Sequence, residues 1–319
     1  TDIGVLMAFL IGGANTLAAA AGNDNGIFAF GATTAYIATS NLVSNTGVVA
    51  TDTSGVGTAR GTLAGCEYGE DTGIFGFGAI SGAKTSMTSL VSNTGVVSAD
   101  VTGVGSAREG PAACSYGDDK GIFGFGSIPS VGMTAVTNLV SNTGVVSTDV
   151  TGVGTVRSTP GACEFGEDKG IFGFGNGGAA PGVGLTALSN LVSNTGVVAT
   201  DTTGVGTARY GPGGVGYGGD KGIFAFGNAG APDRVSTSNL VSNTGVVATD
   251  TTGVGTERDF PGSCEYGRDK GIVAFGNPAA NGGSNTTAVS NLISNTGVVA
   301  TDTAGVGTAR RGLAGCSWN

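Results

Sequence analysis

The sequence predicts an all-β fold, a six-bladed β-propeller with four antiparallel strands per blade and a repeat of about 49 residues. Three observations predict it. The motif "SNTG" places its asparagine at 45, 93, 142, 194, 243 and 295, so successive copies lie 48, 49, 52, 49 and 52 residues apart. A second motif, "GIFGFG" with minor variants, begins at Gly26, Gly73, Gly121, Gly170, Gly222 and Gly271. Finally, the 63 glycines alternate with Val, Ile and Phe in a chain that is 39% hydrophobic and only 12% charged. Disorder would pair such a glycine content with low hydrophobicity and high charge. A period near 49 is too long for a leucine-rich or β-helix rung, and no stripe of 3.6-residue period supports helical repeats.

Each unit reads as four short strands. In the second unit the first strand is "LAGCEYG" (63–69) and the second is "GIFGFG" (73–78). The third lies around "TSLVS" (88–92) and the fourth is "VVSAD" (96–100). An acidic turn joins the first two, and the Asn/Gly loop "SNTG" reverses the chain between the last two. Alternation along a strand puts Phe75 and Phe77 on one face, with Ile74 and Gly76 on the other. The same pair recurs as Phe28/Phe30, Phe123/Phe125, Phe172/Phe174, Phe224/Phe226 and, weakened, Val273/Phe275. Each blade is therefore expected to press its phenylalanines into the small-residue face of a neighbour.

One domain over 1–319 is expected, with units near 13–60, 61–108, 109–157, 158–209, 210–258 and 259–310, and 311–319 as a ring-closing strand. Six copies of the later strands face seven candidates for the first, because residues 16–22 and 312–319 both resemble it. The C-terminal copy is expected to join the first blade, with the apolar segment 5–11 packed beside it. The N-terminal copy is the competing candidate. Residues 5–13 have the length of a signal-peptide core without the basic residues that should precede one. No apolar run reaches the ~20 residues of a membrane helix, so membrane insertion is not expected.

With these motifs in view, the unit layout resembles the kelch-type propeller. There too an Arg follows the outermost strand, as at 60, 108, 157, 209, 258 and 310, and "FGFG" stands where kelch repeats carry a glycine pair. The Trp of the kelch fourth strand is missing. The wording "NLVSNTGVVATDTTGVGTAR" (190–209) with "DKGIFGFG" is similar to repeats in structural proteins of phages and marine viruses. The resemblance covers roughly 14–319 and implies a kelch-like propeller in a virion or extracellular setting. It implies little about function, because unrelated functions share one fold.

The composition narrows the chemistry. A net charge of −9 disfavours nucleic acid, and the absence of histidine removes the usual general base and the commonest metal ligand. Cys66, Cys114, Cys163, Cys264 and Cys316 share one slot, which Val215 fills in the fifth position. Equivalent strands of neighbouring blades stand too far apart for disulfides, and no CxxC pair exists for zinc, so buried thiols are expected. Asp52, Asp100, Asp149, Asp201, Asp250 and Asp302 each precede their Arg by eight residues. Six equivalent sites argue for inter-blade pairing rather than catalysis. The turn carboxylates Glu70/Asp71, Asp118/Asp119, Glu167/Asp168, Asp220 and Asp269 suit turn chemistry better than calcium. A copper-oxidase propeller needs histidine ligands, and the sialidase box is misspaced here, so no enzyme activity and no cofactor or metal is expected.

The repeats diverge mainly after the second strand, at 32–40, 176–184, 228–236 and 277–285, and in the two residues after each Arg. Both segments belong on one face of a propeller, and loops on a rigid scaffold suit recognition. The candidate partner-binding residues are Tyr36, Lys84, Glu109, Tyr210, Asp233, Arg234, Asp259, Phe260, Asn281 and Asn285. The expected function is a structural or adhesive propeller of a virion or extracellular appendage. Its expected partners are other virion or appendage proteins, with host-surface glycans as a further class. A lectin-like, carbohydrate-binding propeller is the alternative.

Overall fold

The computed structural model describes residues 24–178, 184–230, 233–278 and 285–318, and the described chain is all-β. Six three-stranded antiparallel sheets dominate it. Their central strands are the glycine-phenylalanine motifs Asn25–Ala29, Thr72–Gly76, Lys120–Gly124, Lys169–Gly173, Lys221–Ala225 and Lys270–Ala274, which number the sheets one to six. On one side of each lies the strand ahead of "SNTG": Ser40–Val43, Thr88–Val91, Thr137–Val140, Ser189–Val192, Ser238–Val241 and Ser290–Ile293. On the other side, sheets two to six carry Ala64–Tyr68, Ala112–Tyr116, Gly161–Phe165, Gly213–Tyr217 and Gly262–Tyr266. Sheet one takes this strand from the far end of the chain. Ala314–Trp318 pairs with Asn25–Ala29, with Cys316 opposite Ile27 and Trp318 opposite Asn25. The segments 5–11 and 16–22 lie outside the described residues.

The fourth strand of each unit is reduced to isolated bridges such as Val97 opposite Val91 and Val101 opposite Thr88. Side chains take the backbone groups that a full ladder would use. Leu90 N donates to Ser98 Oγ at 3.0 Å, and Asn41 Nδ2 donates to the Ala50 carbonyl at 2.9 Å. Competition of this kind is how Ser and Asn break a ladder. The segments after the second strand also form short hairpins, Ala79–Ile80 with Ala83–Lys84 and Ser127–Ile128 with Gly132–Met133.

Neighbouring sheets pack through a glycine. A Cβ added at Gly121 in sheet three would come within 2.6 Å of Cys66 Sγ in sheet two. Gly26, Gly73, Gly170 and Gly222 meet Cys264, Cys316, Cys114 and Cys163 in the same way, and Gly271 meets Val215. The five cysteines are free and buried, and burial pushes their thiols up.

The phenylalanine pair corrects the alternation argument. Phe75 packs edge-to-face on Phe30 of sheet one at 5.7 Å, whereas Phe77 packs on Phe123 of sheet three at 5.1 Å. The two rings point to opposite neighbours because the strand ends at Gly76 and Phe77 turns into the left-handed region, with φ of 62°. Phe30, Phe125, Phe174, Phe226 and Phe275 do the same. That conformation is costly for a bulky residue, and what covers the ring compensates for it.

The cover is a buried arginine. Arg60, Arg108, Arg157, Arg209, Arg258 and Arg310 are each fully buried, their guanidinium carbons 3.8–4.1 Å from the ring centres of Phe30, Phe77, Phe125, Phe174, Phe226 and Phe275. A desolvated pair of this type contributes about 2 kcal/mol. Five of the six also hydrogen-bond to the next sheet, whereas Arg108 donates only to the Ser106 carbonyl. Arg310 donates to Asn41 Oδ1 at 2.7 Å and to the Phe30 carbonyl at 2.8 Å. Asp52 lies 4.0 Å away and accepts from the Thr308 amide and hydroxyl at 2.9 Å and 2.5 Å. The acid–base pairing is therefore between sheets. Each Asp serves the Arg of the preceding unit, as Asp100 serves Arg60 at 2.9 Å, and not the Arg eight residues on. Burial pulls the guanidinium of Arg310 down to about 10, with Asp52 opposing. Burial by itself would raise Asp52, but Thr308, Asn41 and Arg310 outweigh it and hold the carboxyl below its ordinary value.

The contacts run in a cycle. Ala314–Trp318 lies against Ala64–Tyr68, and the series continues through the first strands of sheets three, four, five and six back to Ala314–Trp318. A circuit of backbone hydrogen bonds crosses the same path. Gly110 N donates to Thr62 O, Thr159 N to Gly110 O and Gly211 N to Thr159 O, at 2.7–2.9 Å. Phe260 N then donates to Gly211 O, Gly312 N to Phe260 O and Thr62 N to Gly312 O, at 2.6–3.0 Å. All six residues have φ between 49° and 63°, and the bonds join residue to residue without a gap. The circuit residues line a cavity of about 80 Å³, and the start of the first strand of every sheet lines a further one of about 100 Å³.

Candidate functional site

The two divergent segments of each unit meet residue by residue. The residue after each buried arginine bridges the start of the next unit's second-to-third-strand loop: Arg311 with Ala32, Gly61 with Ala79, Glu109 with Ser127, Ser158 with Asn176, Tyr210 with Asn228. Asp259 completes the series by pairing with Asn277. That loop folds back so that Ala32 also bridges Tyr36, Ala79 pairs Lys84, Ser127 pairs Met133, Asn176 bridges Leu185 and Asn228 bridges Arg234. The divergent residues thus form two rows of side chains on a continuous backbone frame.

At two seams the folded-back residue of one unit pairs with the post-arginine residue of the next. Lys84 pairs with Glu109 at 3.2 Å and donates to the Ser127 carbonyl and hydroxyl at 2.9 and 2.8 Å. Arg234 pairs with the buried Asp259 at 3.2 Å, and Asn228 Nδ2 donates to that carboxylate at 3.0 Å. Tyr210 packs edge-to-face on Phe260 at 5.6 Å, and its hydroxyl is pushed up by burial and by Asp259. Lys84, Glu109, Arg234 and Asp259 are therefore largely engaged with one another.

The seam between sheets one and two differs. Here the post-arginine residue is Gly61, and the Tyr36 ring lies over it. A Cβ at Gly61 would come within 2.9 Å of Tyr36. The ring walls a pocket of about 740 Å³, which Phe260, Arg311, Thr33, Thr34 and Thr62 also line. So the structure brings together Tyr36 and Phe260 of the expected residues. Asp233 and Asn285 are exposed elsewhere, and Asn281 lies outside the described residues. Arg311 and Thr62 were not among the expected residues. The signal for Arg311 was the doubled arginine of "ARRG" in an acidic chain.

The turn carboxylates are occupied by turn partners. Asp71, Asp119, Asp168, Asp220 and Asp269 each accept from the "SNTG" asparagine of their own unit at 2.9–3.2 Å. Among the described residues no group of three or more Asp, Glu, His or Cys side chains is placed to hold a metal ion. No protein-family model and no curated protein matches the chain.

Proposed function

We propose that the chain is a six-bladed, kelch-like β-propeller that acts without catalysis, as a structural or adhesive component of a virion or extracellular appendage. On this reading each three-stranded sheet with its bridged outer segment is a four-stranded blade, and 311–319 closes the ring. The cyclic order of strand contacts and the six-membered backbone circuit support the ring. The resemblance of the repeats to those of phage and marine-virus structural proteins supports the setting.

One observation carries the functional part. The inter-sheet clamp is repeated almost without change, while the two rows of side chains on one face differ in every unit. A uniform frame bearing diverse side chains is what a recognition surface needs. Its partners are other virion or appendage proteins, or glycans on a host surface.

Mass spectrometry of particles and surface appendages purified from the native source tests this. A stoichiometric presence there is expected. Recovery solely in the soluble cell fraction overturns the setting. A density map without six blades around the axis overturns the propeller.

A further inference from the structure

We infer that the pocket between Tyr36 and Arg311 binds a carboxylate-bearing saccharide, with the Arg311 guanidinium holding the carboxylate. The inference rests on the recognition reading above and names the ligand class for that face. Its basis is an unsatisfied cation. Arg311 is only partly exposed, yet among the described residues it takes part in no ion pair and donates no side-chain hydrogen bond. That is unusual in a chain of net charge −9, where carboxylates outnumber cations. The seams with a charged post-arginine residue show the contrast, since Glu109 has Lys84 and Asp259 has Arg234.

The rest of the wall selects the kind of anion. At about 740 Å³ the pocket has the size of a small-molecule site. Tyr36 and Phe260 supply apolar ring surface, and Thr33, Thr34 and Thr62 supply hydroxyls. A sugar ring offers a C–H face for the aromatics and hydroxyls for the threonines. Its carboxylate gives the planar, bidentate partner that a guanidinium prefers. A bare phosphate leaves the aromatic walls without a partner.

Calorimetric titration with trigalacturonate and with its methyl ester tests the inference. Trigalacturonate should bind and weaken as salt is raised, and the uncharged ester should not bind. Arg311→Ala should lower affinity by ~10-fold or more, with Arg311→Lys intermediate. Tyr36→Ala, at a position outside the clamp, should weaken binding without changing the salt dependence. Circular dichroism melts of each variant establish that the ring is intact. Equal binding of acid and ester, or an unchanged affinity in folded Arg311→Ala, overturns the inference. So does failure to bind trigalacturonate, triglucuronate and a sialylated trisaccharide at ~10 mM. A chain that binds none of these yet remains a stoichiometric particle component removes this inference and leaves the proposed setting standing.

Discussion

At the scale of single residues, the buried arginines carry the most concentrated interactions. Arg310 covers a left-handed Phe275, satisfies Asn41 and the Phe30 carbonyl, and faces Asp52. Removing it orphans partners that are themselves buried. Arg310→Ala should therefore destabilise by about 3–5 kcal/mol, as for other broken buried pairs, measured by urea denaturation. Arg310→Lys should recover little, because an ammonium cannot lie flat on the ring and reach Asn41 as well. Glu265 gives a pH test. It lines a cavity of about 50 Å³ between the first strands of the sheets. Burial first, and Glu164 second, push its carboxyl up to about 8. The unfolded group titrates near ~4.3. The folded state thus binds the extra proton, so this contribution is fully present below ~4.3 and is lost as pH rises towards 8. The clamp aspartates have the opposite sign. Their lowered carboxyls stabilise above ~3.9, and that stability is lost as pH falls. The melting temperature should peak in mild acid. Glu265→Gln should raise it at pH ~8.5 and leave it nearly unchanged at pH ~4.5. A wild-type melting temperature equal at these two pH values would count against the desolvation of the Glu265 carboxyl.

At the scale of strands and loops, the glycine of each central strand is a space requirement set by the neighbour. Gly121→Ala should cost about 1–3 kcal/mol by overpacking, because the new methyl group meets Cys66 Sγ. Combining it with Cys66→Ala should recover a large part of that loss. A double-mutant cycle in urea checks this, and strict additivity would show that the contact is not the cause. The same comparison explains what was legible in the sequence. The first three strands of every unit follow from apolar runs and turn residues, which are local signals. The fourth was overread, since "VVSAD" has strand composition while Ser98 takes the Leu90 amide, as Asn41 takes the Ala50 carbonyl in the first unit, which composition does not reveal. The opposed rings of Phe75 and Phe77 depend on one backbone angle at residue 77, beyond the reach of simple alternation. Inter-sheet pairing of Asp with Arg was legible from sixfold recurrence. Which Arg each Asp serves was not, because the local one is nearer in sequence.

At the scale of the whole molecule, sheet one decides the stability, because it pairs strands that lie far apart in the sequence. Residues 314–318 supply the first strand of sheet one. Trp318 is buried there at 2% exposure, and Gly312 carries two bonds of the backbone circuit. The clamp residues Arg310 and Thr308 reach Asp52, more than 250 residues away in sequence. Deleting 311–319 therefore exposes both edges at once: the open side of Asn25–Ala29 and the face of Ala64–Tyr68 that met Ala314–Trp318. An edge so exposed invites pairing with other chains. The expected result is a melting temperature lower by more than ~10 °C, a broadened transition, and oligomers on size-exclusion chromatography. Supplying residues 308–319 as a peptide should restore much of the loss in proportion to its concentration, since a strand that binds only the folded state stabilises by mass action. A truncated chain that melts like the full one would mean that the sheet-one strand contributes nothing the other five seams do not already provide.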